Sequence, residues 1–368
     1  MNALAEHLDT LIRTGGPITV ARFMAEALGH PRHGYYATRD PLGAAGDFIT
    51  APEISQMFGE LLGLWCAEMW RLAGRPRQVR LVELGPGRGT LMADALRAIG
   101  QAAPDCRAAL DVHLVETSRA LRARQAERLG VEGVRWHDAW DTVPPGPALV
   151  LANEFLDALP IHQLVRHRGG WRERLVDRDP AGGSLRFVLS NGAPAIAASL
   201  PRAIAESADT LPDGSIVELR PAADALARAL GTRIAAEGIA ALIVDYGHAP
   251  SAAGDTLQAV RGHRYADVLA TPGEADLTAH VDFAAFAEAA RAAGAAVHGP
   301  LPQGRFLRAL GIEVRAEALR RAAPPDRAAA IDSATRRLIH PAEMGTLFKV
   351  LALTRAAVAP PPGFESAA

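Results

Sequence analysis

Cysteine and aromatic residues are scarce in this chain. Of its 368 residues only 2 are cysteines, Cys66 and Cys106, and 5% are aromatic. Two cysteines supply neither a disulfide framework nor the paired spacing of a zinc site, and the histidines are scattered without such spacing. We therefore expect no metal site, and we interpret Cys66, which lies in an apolar helical stretch, as a small core residue.

Charge of one sign and long apolar runs are missing as well. The net charge is −2, so the electrostatics do not favour a nucleic-acid partner. No apolar run reaches the ~18 residues of a membrane span. Residues 1–10 hold Glu6 and Asp9 where a secretory signal would be apolar. These absences predict a protein without a membrane span that is located in the cytoplasm.

The most informative stretch is residues 79–91, VRLVELGPGRGTL. An aliphatic strand pattern ends in an acid, and a glycine-rich turn then leads into an apolar helix start. Glycines at alternate positions, Gly85, Gly87 and Gly89, allow a sharp turn and a close approach of the backbone to a ligand. The helix that follows points unpaired N–H groups at that ligand. The pattern predicts a nucleoside-type cofactor site, with a plain strand-to-helix turn as the alternative.

The spacing of the glycines distinguishes between cofactors. A dinucleotide fingerprint needs G-x-G-x-x-G/A, but here the third glycine comes one residue early, as Gly89, and Thr90 holds the later position. Glu83, ahead of the turn, would repel the phosphates of a dinucleotide, which argues against a nicotinamide dehydrogenase. S-adenosylmethionine carries a positive amino group and no pyrophosphate, and it suits an acid at this position.

Strands alternate with helices from residue 77 onward. Such alternation, with apolar strands, predicts an α/β fold with a Rossmann-like, doubly wound and mostly parallel sheet. The predicted strands of this core are 79–84, 111–115, 134–137, 148–152, 240–244 and 347–354. Around the core, at residues 76–160 and 239–356, we predict an N-terminal helical cover (1–75), an inserted hairpin-helix region (161–238) and a disordered tail (357–368).

Acids follow the second and third strands of this pattern. Glu116 closes the second strand, where a carboxylate accepts hydrogen bonds from the ribose hydroxyls of a nucleoside cofactor. Asp138 follows the third strand, where the adenine amino group would need an acceptor. The alternatives are a solvated surface acid for Glu116 and a helix cap for Asp138.

Asn153, Glu154 and Asp157 follow the fourth strand. This is the topological switch point at which open α/β sheets bind ligands. The alternative is a loop whose acids are solvated and whose Asn153 caps a turn. Methyltransferases that act on the adenine amino group usually show Asp/Asn-Pro-Pro-aromatic here, and its absence disfavours that substrate class.

Six segments together resemble the MidA/NDUFAF7 family, in order and over nearly the whole chain. The resemblance implies a class I methyltransferase fold and S-adenosylmethionine as cofactor. The eukaryotic mitochondrial members are similar to symmetric protein arginine dimethyltransferases that act on a respiratory complex I subunit, so a protein arginine is the implied acceptor. The segments are 46–60 (GDFITAPEISQMFGE), 83–91, 153–163, 245–248 (DYGH), 276–283 (DLTAHVDF) and 345–349 (GTLFK).

The resemblance also suggests roles for individual residues. It places Glu154 in the role of gripping the guanidinium, with Asp157 or Glu53 as the second acid. His280 is a candidate to deprotonate the product, with a hydrogen-bonded cap as the alternative. Thr90 and Asn153 are further candidate cofactor contacts. The remaining candidates, for a lid or substrate contacts, are Asp47, Thr50, Tyr246 and His248, of which the last two equally fit a tight structural turn.

Two rival functions remain at this stage. One is a small-molecule or O-methyltransferase, with Tyr246 or His248 as its base. The other is an assembly factor that keeps the cofactor site for binding a client protein without turnover. The intact pattern of Glu83, the three glycines of the turn and Glu116 disfavours a degenerate site.

Overall fold

The chain folds into two compact units in the computed structural model, which describes residues 2–38, 50–131, 133–182, 184–356 and 360–365. Unit 1 consists of Met1–Phe48, Asp157–Ala225 and His248–Ala285. Unit 2 consists of Ile49–Leu156, Leu226–Gly247 and Phe286–Ala368. Each unit is therefore assembled from three separate stretches of chain.

Polar side chains cap the first backbone N–H groups of several helices. Thr19 accepts a hydrogen bond from the backbone of Arg22, and Ser55 accepts one from Met57, as expected of N-caps. The α-helices among the described residues are α1 (Ala3–Gly15), α2 (Val20–Gly29), α3 (Tyr35–Thr38), α4 (Ala51–Ile54), α5 (Gln56–Leu72), α6 (Thr90–Ala102), α7 (Pro104–Ala109), α8 (Arg119–Leu129), α9 (Arg202–Ser207), α10 (Pro221–Ala236), α11 (Phe283–Ala292), α12 (Gln303–Ala309), α13 (Ile312–Ala322) and α14 (Pro325–Ile339).

Strands coincide closely with the aliphatic segments of the sequence. The predicted strands 79–84 and 134–137 are confirmed to the residue. The strands among the described residues are β1 (Ile18–Thr19), β2 (Val79–Leu84), β3 (Leu110–Val115), β4 (Val134–His137), β5 (Ala148–Asn153), β6 (His162–His167), β7 (Gly170–Arg178), β8 (Leu185–Leu189), β9 (Ile216–Leu219), β10 (Ala240–His248), β11 (Gln258–Arg261), β12 (Arg264–Ala266), β13 (Asp276–Thr278), β14 (Val281–Asp282), β15 (Ala296–Pro302) and β16 (Phe348–Thr354).

The strands of unit 2 form a mostly parallel sheet in the order β15-β16-β10-β5-β2-β3-β4. Neighbours from β10 to β4 are parallel, and β16 is antiparallel to both of its neighbours. The strand order reverses between β2 and β5, where Leu84 pairs with Ala152. The predicted fold class is confirmed, and the carboxyl ends of β2 and β5 meet at the switch point of the sheet.

Helices α5 and α6 of unit 2 pack without side chains between their backbones. A Cβ on Gly63 would lie 2.6 Å from Cα of Ala95, and one on Gly59 would lie 2.7 Å from Cβ of Asp94. These two glycines allow close contact between the helices. Residues 50–72 therefore pack within unit 2, next to the helix that follows the glycine turn.

Unit 1 contains two antiparallel sheets. The first has the order β1-β7-β6-β9 with β8 beside β7, and the second has the order β12-β11-β13. Strands β6, β7 and β8 form two antiparallel hairpins within the predicted hairpin-helix region. The strands of the second sheet were not predicted, and they are only three or four residues long. Helices α1 and α2 supply much of the apolar core of this unit.

Part of the C-terminal tail is packed in unit 2. Trp65 donates a hydrogen bond from Nε1 to the carbonyl oxygen of Pro362 at 3.1 Å. The ring of Phe364 lies 5.3 Å from that of Phe306. The prediction that residues 357–368 are disordered is wrong for 360–365, because one aromatic ring and one carbonyl group find partners there; the other tail residues from 357 to 368 lie outside the described part of the chain.

Candidate active site

Glu83 is a buried acid at the carboxyl end of β2. The residue is 2% exposed. Burial raises the pKa of Glu83 to about 8, although a hydrogen bond from the backbone of Met92 partly opposes this effect. Among the described residues its Oε2 has no hydrogen-bond partner. A buried carboxyl oxygen of this kind is stabilised by a cationic or N–H group of a ligand.

The glycine turn after Glu83 has a left-handed backbone at each of its glycines. The φ angles are +64° at Gly85, +53° at Gly87 and +75° at Gly89, which begins α6. Such angles strain other residues. A Cβ on Gly85 would lie only 2.6 Å from Cδ2 of Phe155. Glycine is therefore required for the turn itself and for the packing of the loop after β5 against it.

Glu53 contacts the start of α6. Thr90 donates a hydrogen bond from Oγ1 to Oε1 of Glu53 at 2.5 Å. The carbonyl oxygen of Thr50 accepts from the backbone N–H groups of Glu53 and Ile54, which begins the short helix α4. The structure thus places Glu53 against Thr90, directly after the glycine turn, and Thr50 at the start of the helix that carries Glu53. Asp47 lies outside the described residues.

Glu116 follows β3 and is held by backbone and side-chain contacts. Its Oε1 accepts a hydrogen bond from the backbone N–H of Ser118 at 2.7 Å, and its own backbone N–H donates to the carbonyl oxygen of His137 at 2.9 Å. Burial raises the pKa of Glu116, and hydrogen bonds from Ser118 and Gln125 lessen the shift. The carboxylate is therefore oriented at the end of the strand next to β2.

Asp138 is exposed and pairs with an arginine. Its side chain is 83% exposed, and its Oδ1 lies 2.6 Å from Nη2 of Arg122. Nε of the same arginine donates to the carbonyl oxygen of Glu116 at 2.7 Å. Asp138 is not the helix cap of the alternative interpretation, since the following short helical turn, Trp140–Thr142, has Ala139 as its N-cap. Arg122 instead connects Asp138 to the turn that carries Glu116.

Glu154 lies directly after β5 in a strained conformation. Its φ is +48°, a left-handed angle that costs a residue other than glycine of order 1–3 kcal/mol. Its Oε1 accepts hydrogen bonds from the backbone N–H of Ala51 at 2.9 Å and from Nδ2 of Asn153 at 3.1 Å. Within the described residues, Oδ1 of Asn153 has no hydrogen-bond partner. The carboxylate of Glu154 is thus fixed beside α4, and an amide oxygen next to it can accept from a ligand.

Asp245, in the middle of β10, orients the same loop. It is 1% exposed, and its Oδ2 accepts from the backbone N–H groups of Phe155 and Leu156 at 3.1 and 2.9 Å. Its Oδ1 accepts from the backbone N–H of Tyr246 at 2.9 Å. The tight turn considered for 245–248 does not form, because β10 continues through His248.

Tyr246 lies on β10 directly after Asp245. It is half-buried, and its ring lies 5.4 Å from the ring of Phe348, its partner on β16. The two rings meet edge to face. The structure places Tyr246 in unit 2, one residue beyond the carboxylate that holds the Glu154 loop.

Asp157 and His248 belong to unit 1. Asp157 is 5% exposed, and its carbonyl oxygen accepts from the backbone N–H of Ala279 at 3.0 Å. Burial, with the carboxylates of Asp276 and Asp157, holds the pKa of Tyr36 well above its ordinary value. The hydroxyl of Tyr36 donates to Oδ1 of Asp276 at 2.9 Å. Asp157 therefore lies in an acidic cluster of unit 1.

His280 also belongs to unit 1. Its backbone N–H donates to Oγ1 of Thr256 at 2.9 Å, and its carbonyl oxygen accepts from the guanidinium of Arg220. The start of α11 is capped by Asp282, whose Oδ1 accepts from the backbone of Ala285. The cap considered for His280 is therefore supplied by another residue.

Unit 1 also brings together three side chains that the sequence analysis did not group. Ligand atoms of His7, Glu26 and His30 all lie within 4.8 Å of one another. Each of these groups already has contacts, since Glu26 pairs with Arg22 at 2.6 Å and with His7 at 3.3 Å. Nδ1 of His30 accepts from the backbone N–H of Arg32 and of the following residue. We assign no ion to this group.

Gln125 is the main residue of the site that the sequence analysis missed. It lies on α8 in a stretch rich in arginine, which is typical of an exposed helix surface, yet it is 0% exposed. A signal was present, because Gln125 stands four residues after Leu121 and four before Leu129, on the apolar face of the helix. A polar residue on such a face needs buried partners.

The residues present fit S-adenosylmethionine. The unpartnered Oε2 of Glu83 suits its amino group, the turn at Gly85 leaves room for a close approach of the backbone, and Glu116 suits ribose hydroxyls. All of these lie at the carboxyl ends of neighbouring strands β2 and β3. The fold and the site together define a Rossmann-like enzyme of the S-adenosylmethionine-dependent methyltransferase class.

Comparison with known proteins gives the family. Residues 61–301 match the model of the Methyltransf_28 family of S-adenosyl-L-methionine-dependent methyltransferases. The chain is 41% identical over 378 residues to the protein named "Protein arginine methyltransferase NDUFAF7, mitochondrial" of Danio rerio, which covers 96% of this chain and 87% of that protein. It is 39% identical to the Homo sapiens protein of the same name, over 95% of this chain and 83% of that protein. The chain belongs to the MidA/NDUFAF7 family of S-adenosylmethionine-dependent methyltransferases.

Solved structures agree with this family. A COG1565 superfamily member from Burkholderia thailandensis, bound to S-adenosyl-homocysteine, matches with a TM-score of 0.81 and 33% identity, over 99% of this chain and 93% of that chain. A native structure of a COG1565 protein from the same organism matches with a TM-score of 0.78 and 32% identity. The predicted enzyme class, fold and S-adenosylmethionine cofactor are confirmed.

The predicted location needs correction. The relatives from Danio rerio, Mus musculus and Homo sapiens are all named as mitochondrial proteins, which overturns the expectation of a cytoplasmic protein. The expectation was based only on residues 1–10 and on overall composition, and these do not determine the compartment. Within the described parts of the chain, no helix combines the length and apolar character that a membrane crossing needs.

Proposed function

We propose that this methyltransferase transfers a methyl group to a terminal nitrogen of an arginine in a protein. The observation that carries the proposal is Glu154, whose strained backbone and doubly hydrogen-bonded Oε1 fix a carboxylate at the switch point of the sheet. The loop after it packs against Gly85 of the cofactor turn. The names of the relatives, which are protein arginine methyltransferases, support the same acceptor.

The cofactor would be held by side chains from neighbouring strands. Glu83 would receive the amino group, and Glu116 the ribose hydroxyls. Asp138, joined to the Glu116 turn through Arg122, would lie towards the adenine, while Asn153 and Thr90 border the glycine turn. When bound, S-adenosylmethionine supplies a methyl group whose carbon–sulfur bond breaks, leaving the electron pair on sulfur, as a bond to the acceptor nitrogen forms.

The acidic side chains beside the turn match the chemistry of a guanidinium. That group is always charged and its nitrogens are weak nucleophiles, because their lone pairs are delocalised. A carboxylate that accepts from two of its N–H groups draws the positive charge to one side and leaves the third nitrogen free to react. Transfer leaves one excess proton on that nitrogen, which a carboxylate in contact with it accepts.

We propose Glu154 as the main gripping acid and Glu53 as its partner. Both belong to unit 2, and α4 connects them, since Ala51 donates to Glu154 and Glu53 follows two residues later. Asp157, the other candidate, lies in the acidic cluster of unit 1 and stays a prediction, as do the roles of His280 and His248. The family resemblance of the sequence implies a subunit of respiratory complex I as the acceptor protein, and this acceptor stays a prediction.

Transfer of a labelled methyl group to proteins tests this function. The enzyme, tritiated S-adenosylmethionine and a protein extract that includes respiratory complex I are incubated, and the proteins are hydrolysed to separate methylarginine from other products. We expect methylarginine with the unaltered chain and roughly a hundredfold less with Glu154→Gln, because a charge-stabilising group is removed. The matched control is Glu68→Gln, an exposed glutamate on α5 paired with Arg71.

The same experiment separates the rival functions. Label found only in small molecules, and lost in Tyr246→Phe, would replace the proposal with a small-molecule or O-methyltransferase. Label found in neither fraction, together with tight binding of S-adenosylhomocysteine, would favour an assembly factor without turnover. Equal methylarginine from Glu154→Gln and the unaltered chain would show that Glu154 does not grip the acceptor.

A further inference from the structure

Gln125 is a buried amide on the apolar face of helix α8. Helix α8 carries arginines along most of its length, but Gln125 is 0% exposed. Burying an amide costs free energy unless its donor and acceptor groups all find partners. The partners of Gln125 therefore show why a glutamine stands at this position.

Each polar atom of the Gln125 side chain is engaged. Nε2 donates to the carbonyl oxygen of Gly87 at 2.7 Å and to Oε2 of Glu116 at 3.3 Å. Oε1 accepts from Nε1 of Trp136 at 2.8 Å. The orientation of the amide is unambiguous, because a tryptophan ring nitrogen can only donate and a backbone carbonyl can only accept.

These contacts join the parts of the site that handle the cofactor. Gly87 is the middle glycine of the turn after β2, Glu116 follows β3, and Trp136 lies on β4. The hydrogen bond from Gln125 lowers the pKa of Glu116, opposing the effect of burial, and so favours the ionised carboxylate. The second oxygen of Glu116 is held by the backbone of Ser118.

We propose that Gln125 is a positioning residue for recognition of the cofactor ribose. It holds the Glu116 carboxylate in place and connects it to the glycine turn. The groups that bind the ribose hydroxyls and the rest of the ligand are thereby fixed relative to one another. The proposal rests on the assignment of Glu116 to the ribose, made above. It does not depend on which acceptor the enzyme methylates, and the test below uses binding alone.

Calorimetric titration with S-adenosylhomocysteine and with its 2′-deoxyribose analogue tests the proposal. Gln125→Met keeps the volume of the side chain and removes its hydrogen bonds. We expect S-adenosylhomocysteine to bind roughly tenfold to a hundredfold more weakly to this variant. The decisive readout is the ribose penalty, the factor by which the 2′-deoxyribose analogue binds more weakly than S-adenosylhomocysteine. We expect this factor to be large for the unaltered chain and below about three for Gln125→Met, because Glu116 is no longer oriented. Gln101→Met, at an exposed position of α6, should bind both ligands like the unaltered chain.

Two further variants make the outcome decisive. If Gln125→Met does not fold, Trp136→Phe removes the donor to Oε1 of Gln125 together with part of the ring, leaves the other hydrogen bonds of Gln125 possible, and should weaken binding and reduce the ribose penalty in the same direction. An unchanged ribose penalty in the folded variant would overturn the proposal, since a residue that merely fills space would not affect it. If Glu116→Gln leaves the ribose penalty intact, the assignment of Glu116 fails and the proposal fails with it, whatever the acceptor of the methyl group.

Discussion

Oδ2 of Asp245 lies 2.9 Å from the backbone nitrogen of Leu156, which is 89 residues earlier in the chain. The same oxygen accepts from Phe155, so one buried carboxylate orients two consecutive peptide groups. These groups follow Glu154, whose φ of +48° would relax without an external constraint. The conformation of the candidate gripping acid therefore depends on the neighbouring strand β10.

Asp245→Asn should disturb this loop. An amide keeps only one acceptor oxygen and turns its NH₂ towards a backbone N–H, so hydrogen bonds to a charged group worth roughly 1.5–3 kcal/mol each are lost. We expect the free energy of unfolding in urea to fall by roughly 2–4 kcal/mol, and methyl transfer to fall more than S-adenosylhomocysteine affinity. Asp141→Asn, at an exposed position, is the control. Equal losses in transfer and in cofactor affinity would contradict the assigned role.

Gly85→Ala should damage both folding and cofactor binding. The new Cβ would lie 2.6 Å from the Phe155 ring, and the φ of +64° is unfavourable for alanine. We expect a loss of roughly 1–3 kcal/mol in urea unfolding and weaker S-adenosylhomocysteine binding. Gly100→Ala, inside helix α6 where a Cβ would meet Cγ of Arg107 at 3.8 Å without a clash, should instead stabilise by roughly 0.5–1 kcal/mol. Equal effects of the two substitutions would refute the steric explanation.

Glu83→Gln should make the protein more stable while it weakens cofactor binding. The folded pKa of about 8 lies above the ordinary 4.5, so between these values unfolding releases a proton and stability falls as pH rises. Glu83→Gln has no such group to titrate. The difference in free energy of unfolding in its favour, measured in urea, should therefore grow from pH 5 to pH 8 and reach roughly 2–5 kcal/mol. Glu127→Gln, whose side chain is 69% exposed, should show no such trend. A constant difference across this range would contradict the burial of an unpaired acid.

Glu60→Gln should destabilise unit 2 at neutral pH, and the effect should fade in acid. Burial raises the pKa of Glu60, but hydrogen bonds from Arg315 and Arg97 outweigh burial and hold it below 4.5. The stabilisation is therefore present above pH 4.5 and is lost as pH falls through the folded value. We expect a loss of about 2–4 kcal/mol at pH 7 that shrinks below pH 4, measured by urea unfolding. Glu68→Gln, which removes the ion pair with Arg71, should lower the free energy of unfolding by under about 1 kcal/mol.

Local patterns in the sequence were enough for the cofactor turn and for most strands of the unit 2 sheet, although β15 was not predicted. The aliphatic segment 79–84, the acid at its end and the alternating glycines predict β2, Glu83 and the start of α6, because backbone preferences and burial act over a few neighbouring residues. The short strands β11 to β13 escaped prediction, since three or four residues carry too little periodicity. The order of residues 360–365 also escaped prediction, because it depends on contact of Phe364 with the distant ring of Phe306.

Most core strands, the glycine turn and the acids at the strand ends could be predicted from the sequence, and with them the class of enzyme. How those acids are held depends on tertiary packing. Gln125 joins Gly87 to Glu116, Asp245 orients the loop after Glu154, and Thr90 contacts Glu53. The partners in two of these contacts are 37 and 89 residues apart, and side-chain pairing over such separations follows from the packing of the strands and leaves no local periodicity in the sequence.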